Sequence, residues 1–198
     1  MQIPAVLPVM TLPGAILFPQ SLMPIFIFEQ KYRKMMNDIL EGDRLLCIAL
    51  AQNSSDYNCC SPLQPHNIAG MGLVRACVRH PDGTGHMVVQ GLARVALSDI
   101  SKEKPYRTAR VRPIPSCNCH GLEVEALMIK VVELAIKKAS QLKCSSHELT
   151  NFLQKIRDPD LVCDVIGFTL IRDPQQKQHL LETADVRKRL HDLIPMLK

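Results

Sequence analysis

The chain has no tryptophan, and its three tyrosines and five phenylalanines amount to 4% of 198 residues. A nucleic-acid platform built from stacked rings has little to work with in such a composition. No apolar run reaches the roughly eighteen residues that a membrane-spanning helix requires. The opening Met-Gln-Ile-Pro-Ala-Val also lacks the basic stretch that begins a secretory signal. These two absences lead us to expect a cytoplasmic protein with no membrane partner. Low-complexity tracts are few, and 46% of the residues are hydrophobic, so the chain can bury a proper core. There is no Gly-x-x-x-x-Gly-Lys-[Ser/Thr] loop to cradle ATP phosphates and no Gly-x-Ser-x-Gly nucleophile motif. His66, His80, His86, His147, His179 and His191 fall in turns or on helix surfaces, where a solvated imidazole is the default. We therefore expect no enzyme and no cofactor.

What is present is moderately basic, with 24 Lys and Arg against 19 Asp and Glu. The two signs are interspersed, so the net charge of +5 permits weak attraction to acidic partners while most charges form a solvated face. Of the eight cysteines, Cys47, Cys77 and Cys163 lie in apolar runs and read as small buried hydrophobes in a reducing compartment. Cys117, Cys119 and His120 could hold zinc only with a further ligand, for instance from Cys59-Cys60. The Cys-x-Cys spacing is tighter than usual and no second knuckle matches it, so we expect no metal.

Two β-branched runs between Gly72 and Leu97 flank Pro81-Asp82-Gly83-Thr84-Gly85, which predicts a hairpin. Gly72 and Gly91 interrupt its strands, and an isolated strand glycine marks a bulge or a close backbone approach. A bent, barrel-like sheet follows. Before it, Pro4, Pro8, Pro13, Pro19 and Pro24 divide short apolar runs, including Ala15 to Phe18 and Ile25 to Phe28, which read as edge or barrel strands. Tyr32, Met35, Met36, Ile39 and Leu40 make one stripe of a helix from Glu29 to Glu41, stopped by Gly42. Arg44 to Ala51 reads as a central strand, Gln52 to Asn67 as a loop, and Tyr106 to Ile114 as a half-exposed strand.

From Gly121 the periodicity is helical, with a first helix to about Leu142. Ser145 and Glu148 have capping-box spacing, and Asp158-Pro159 and Asp173-Pro174 each place a cap acceptor before a proline at the first helical position. Val186, Leu190, Leu193, Ile194 and Leu197 mark a last helix. The expected class is α+β, with a β-rich part at 1–117 holding one helix and a helical bundle at 118–198.

The order of these pieces resembles the amino-terminal, substrate-binding domain of Lon-type ATP-dependent proteases. The resembling positions are Pro8, Leu12-Pro13, Phe18-Pro19, Leu22, Pro24-Ile25-Phe26 with Glu29, the Pro81-Asp82-Gly83-Thr84 turn and Gly91-Leu92-Ala93-Arg94. Asp158-Pro159-Asp160-Leu161, Lys177 to Glu182 and Asp185 to Leu190 extend the similarity over nearly the whole chain. The resemblance implies a PUA-like β pseudo-barrel followed by a helical bundle. It also implies recognition of exposed segments of proteins destined for degradation, here in a stand-alone form without motor or peptidase. Unfolded or partly folded protein segments would be the clients, and a larger proteolytic or chaperone protein a further partner.

Leu22, Met23, Ile25, Phe26 and Phe28 are the candidate binding residues, because flexible and aromatic apolar groups can repack against varied clients. Strand alternation should turn either Ile25 and Ile27 or Phe26 and Phe28 into the core. The alternative, from a different class, is RNA binding by a basic stripe of Arg75, Arg79, Arg94, Arg107, Arg110 and Arg112, since PUA-like folds elsewhere bind RNA.

Overall fold

The computed structural model describes residues 3–52, 63–117, 121–141 and 146–198. They divide into two compact units, Met1–Ile114 and Pro115–Lys198. The first contains β1 (Val6–Leu12), β2 (Leu22–Ile27), α1 (Gln30–Glu41), β3 (Leu45–Leu50), β4 (Ile68–Arg79), β5 (Gly85–Ser101) and β6 (Arg107–Ile114). The class is α+β.

The six strands run in the order β2-β5-β4-β3-β1-β6, and β6 pairs again with β5. Five strands therefore close into a ring, with β2 attached outside it. Closure depends on the 17-residue β5, whose residues 85–90 pair with β2 and whose residues 94–101 pair with β6. Gly91 lies at the changeover. A side chain is excluded there because a Cβ would stand 1.9 Å from the Phe18 carbonyl oxygen. Gly70 meets the Leu17 carbonyl in the same way at 2.0 Å. Across the sheet the register shifts between Met71 and Gly72, the irregularity anticipated at Gly72.

These glycines also explain a misreading. Ala15 to Phe18 is not a strand, because Ile16, Leu17 and Phe18 are buried in an irregular segment whose backbone fills the space the glycines leave. Of the two alternatives for the first strand, edge or barrel, β1 takes the barrel one, pairing in parallel with β3 and antiparallel with β6. β3 is buried along its whole length, as a continuous apolar run should be in a central strand. Leu7, Val9, Leu45, Cys47, Met71, Val95 and Val111 are among the side chains filling the interior. Cys47 and Cys163 are buried as expected, whereas Cys77 is half-exposed, with its Sγ 3.6 Å from Met36 Sδ.

Helix α1 packs on β1 and β2 through Tyr32, Met35, Met36 and Ile39. In the β4–β5 turn Gly83 adopts φ +82°, and Asp82 Oδ1 accepts from the Thr84 N–H at 2.9 Å and hydroxyl at 2.7 Å. Those bonds hold the Asp82 carboxyl below its ordinary pKa.

The second unit contains α2 (Leu122–Gln141), α3 (Ser146–Lys155), α4 (Pro159–Thr169), α5 (Pro174–Glu182) and α6 (Val186–Leu197). Asp158 and Asp173 cap α4 and α5 through the N–H groups of Asp160 and Gln175, each with proline in the first turn. Asp185 caps α6 through the Lys188 N–H. Ser145 of the expected capping box lies outside the described residues. Fully buried Arg189 holds the bundle with Nη1 2.9 Å from Asp164 Oδ1, and Nη2 2.7 Å from Asp160 Oδ1 and 3.1 Å from Ser116 Oγ. Among the described residues no helix is long and apolar enough to cross a membrane.

Candidate functional site

Strand β2 settles the question of parity. Met23 and Ile27 turn inward at 9% and 2% exposure, and Ile25 is half-buried. Leu22, Phe26 and Phe28 turn outward at 57%, 49% and 61%. Met23 is therefore a core residue, with no surface to offer a client, and Ile25 offers little. The pattern alone left both parities open because residues 22–28 are apolar throughout.

Register then adds residues that the linear reading missed. Phe26 lies opposite His86 of β5, and His86 opposite Val78 of β4, which is 61% exposed. Pro24, Val88 and Ala76 form the next row. An apolar face thus spans three adjacent strands. Its rings are ordered: Phe28 and Phe26 lie 6.0 Å apart by centroids, Phe26 and His86 4.7 Å, and His86 and His80 5.4 Å with the planes near perpendicular. Single exposed hydrophobes are ordinary, but a contiguous patch with a polar rim is the usual mark of an interaction surface. Arg75 borders it, its Nε donating to Gln90 Oε1 at 2.6 Å.

The six arginines of the alternative reading do not make one stripe. Arg94 is buried within β5, and Arg107 shares its face of β6 with buried Ala109 and Val111. Arg110 and Arg112 point the other way, with Arg110 Nε 3.3 Å from Asp99. Arg75 and Arg79 lie exposed on β4.

Of the residues weighed as zinc ligands, Cys59, Cys60, Cys119 and His120 lie outside the described residues. Cys117 is exposed and bridges to Asp185. Among the described residues, no group of three or more His, Cys, Asp and Glu side chains is placed to hold a metal ion. His179 Nε2 lies 2.9 Å from Asp192 Oδ2 on the helical unit.

Comparison with known proteins bears on this arrangement. Residues 6–198 match the family model of the ATP-dependent protease La (LON) substrate-binding domain. The chain belongs to that family. Curated relatives include the Lon protease of Dictyoglomus thermophilum, 30% identical over 188 residues, and that of Trichlorobacter lovleyi, 29% identical over 191. The matches cover 95% and 96% of this chain but 24% and 23% of those proteases. The chain thus spans about a quarter of the length of the curated relatives it matches.

Among solved structures, the N-terminal domain of Mycobacterium avium complex Lon protease superposes with a TM-score of 0.79 at 20% identity, covering 97% of both chains. A Lon N-terminal domain protein from Xanthomonas campestris gives 0.63 at 16% identity. At those identities the likeness establishes the fold. The family match is to a substrate-binding domain, and within this fold the apolar face over β2, β5 and β4 is the candidate surface.

Proposed function

We propose that this protein binds exposed apolar segments of other proteins, without chemistry of its own, on the face formed by Leu22, Phe26, Phe28 and Val78. The observation that carries the reading is the outward parity of β2, which leaves two phenyl rings against solvent in a family of substrate-binding domains. A client side chain laid over these rings removes apolar area on both partners from water, at about 25 cal/mol per Å². The gain is offset by ordering a flexible client, so capture is reversible. In the cytoplasm such a module would present clients to a larger ATP-dependent protease or chaperone.

Binding of a permanently unfolded, carboxymethylated protein, followed by fluorescence anisotropy at low and high salt, tests the reading. Each exposed phenyl should contribute about 1–2 kcal/mol, so Phe26→Ser with Phe28→Ser should weaken binding by about thirtyfold or more. High salt should leave wild-type binding intact or tighten it. Affinity unchanged in the double variant would refute the site. Tight binding of single-stranded RNA that vanishes at high salt would favour the arginine reading instead.

A further inference from the structure

Lys31, Lys102, Lys104 and Arg107 line a recess of about 230 Å³ in the β unit, and among the described residues no acidic side chain shares its wall. Its sides are built from the rings of Tyr32 and Tyr106 with Val9 and Pro105. Both phenols are already engaged. Tyr32 donates to the Thr11 carbonyl at 2.8 Å, and Tyr106 donates to Asp38 Oδ2 at 2.5 Å. The rings are thereby fixed as walls, each with a lysine ammonium near its face: Lys31 lies 4.7 Å from the Tyr32 centroid, and Lys104 5.5 Å from that of Tyr106.

Glu29 and Asp38 neutralise part of the charge, but from outside the recess, at 2.7 Å from Lys31 and 3.5 Å from Lys104. Lys102 has no ion partner among the described residues. Arg107 donates to the Leu63 carbonyl, and desolvation pulls its guanidinium below the ordinary range. Lys102 therefore gains from an anion that enters the recess. The small volume suits a compact anion on an apolar body better than a nucleic-acid backbone, which needs a long open track.

Location links the recess to the apolar face. Phe28 and Lys31 are three residues apart, at most about 11 Å of chain. An extended client lying over Phe26 and Phe28 therefore reaches Lys31, one of the cations lining the recess, within three or four of its own residues. We propose that the recess is an anion subsite for the client, taking a carboxylate carried on an apolar segment, either its C terminus or an Asp or Glu side chain. This rests on the reading of the apolar face given above.

The test uses the full chain and three forms of one fluorescein-labelled, leucine- and phenylalanine-rich octapeptide: free C terminus, C-terminal amide, and amide with a penultimate Asp. One charge-assisted contact should make a carboxylate form about tenfold tighter than the plain amide at low salt. The advantage should shrink with added salt, and it should vanish in Lys102→Glu and in Lys31→Gln, both exposed positions whose exchange leaves the fold intact. Binding of the plain amide should not fall in either variant. A gain confined to the free terminus identifies the terminal carboxylate as the ligand, and a gain confined to the Asp form identifies the side chain. Equal affinity of all three forms would overturn the subsite and leave the apolar face standing. Failure of all three to bind would overturn both.

Discussion

Gly91→Ala tests the packing that positions the candidate face. The new methyl would stand 1.9 Å from the Phe18 carbonyl oxygen, a backbone atom that cannot rotate away. To restore ordinary contact the Phe18 segment must retreat by about 1.5 Å. That segment is fixed by the Gln20 N–H on the Gly91 carbonyl and by the Gly91 N–H on the Ser21 carbonyl, both at 2.9 Å. It also carries fully buried Leu17 and Phe18. Two hydrogen bonds weakened at about 1 kcal/mol each, with about 1–3 kcal/mol of overpacking, give a loss of roughly 3–5 kcal/mol. Against this, alanine reduces the freedom of the unfolded chain and returns only about 0.4–1 kcal/mol. The net expectation is a loss of about 2–4 kcal/mol, a large share of an ordinary domain's stability. Tyrosine fluorescence during urea unfolding is the assay of choice, because Tyr32 and Tyr106 are buried in the β unit, the sequence has no tyrosine after Tyr106, and no tryptophan masks the signal. Gly42→Ala is the control, since its Cβ would meet the Asp38 and Ile39 carbonyl oxygens at 3.4 and 3.9 Å, ordinary contact distances, and it should change stability by less than about 1 kcal/mol. If Gly91→Ala proved as mild as that control, close approach would not be what holds the Leu17–Phe18 segment in place.

In the helical unit, Arg189→Met removes the guanidinium paired with the buried Asp164 carboxylate and should cost about 3–5 kcal/mol, read from far-UV circular dichroism in urea. The double variant with Asp164→Leu should recover much of that loss. Hydrogen bonding from Tyr106, before any other cause, holds Asp38 below its ordinary pKa. Its contribution is therefore present above about pH 4 and lost as pH falls below it, and Asp38→Asn should flatten the acid limb of the stability profile. Burial pushes the Cys47 thiol up to about 12. A raised thiol contributes fully below its unfolded value of about 8.5 and loses that contribution as pH rises toward 12, so Cys47→Val should flatten the alkaline limb.

The features legible in the sequence are those decided within a few residues. Asp158-Pro159 and Asp173-Pro174 announce their helices because cap acceptor and proline act on the adjoining turn. Gly72 and Gly91 signalled an irregular sheet because a missing side chain in a β run has few other uses. The features that escaped depend on distant partners. Ala15 to Phe18 has strand composition, and only the space opened by Gly70 and Gly91, some seventy residues later in the second case, makes it a packed irregular segment. The parity of β2 escaped because apolar residues on both faces erase the alternation that reveals burial. The recess joins α1 to the turn before β6; Tyr32 read as a core residue of its helix, and no local pattern links Lys31 to Lys102, Lys104 and Arg107, some seventy residues later. Arg189 bears no local mark of burial in the last helix, and its partners Asp160 and Asp164 from α4, with Ser116, account for it.

One physical arrangement connects the fold to the face it exposes. Because β5 gives its second half to β6, the ring closes without β2, which is left as an added strand with one partner. An edge strand with exposed rings is a ready template for unwanted pairing. Here the strand is six residues long and carries Pro24, which has no N–H to offer an incoming strand. Edge-to-edge addition is thereby discouraged while the outward side chains stay accessible, so the proposed client would be received against the face of the sheet. The Gly91 changeover thus has two consequences, closing the barrel and freeing β2. A substitution that loosens it should lower stability and client affinity together, whereas Phe26→Ser with Phe28→Ser, acting on exposed rings, should lower affinity alone.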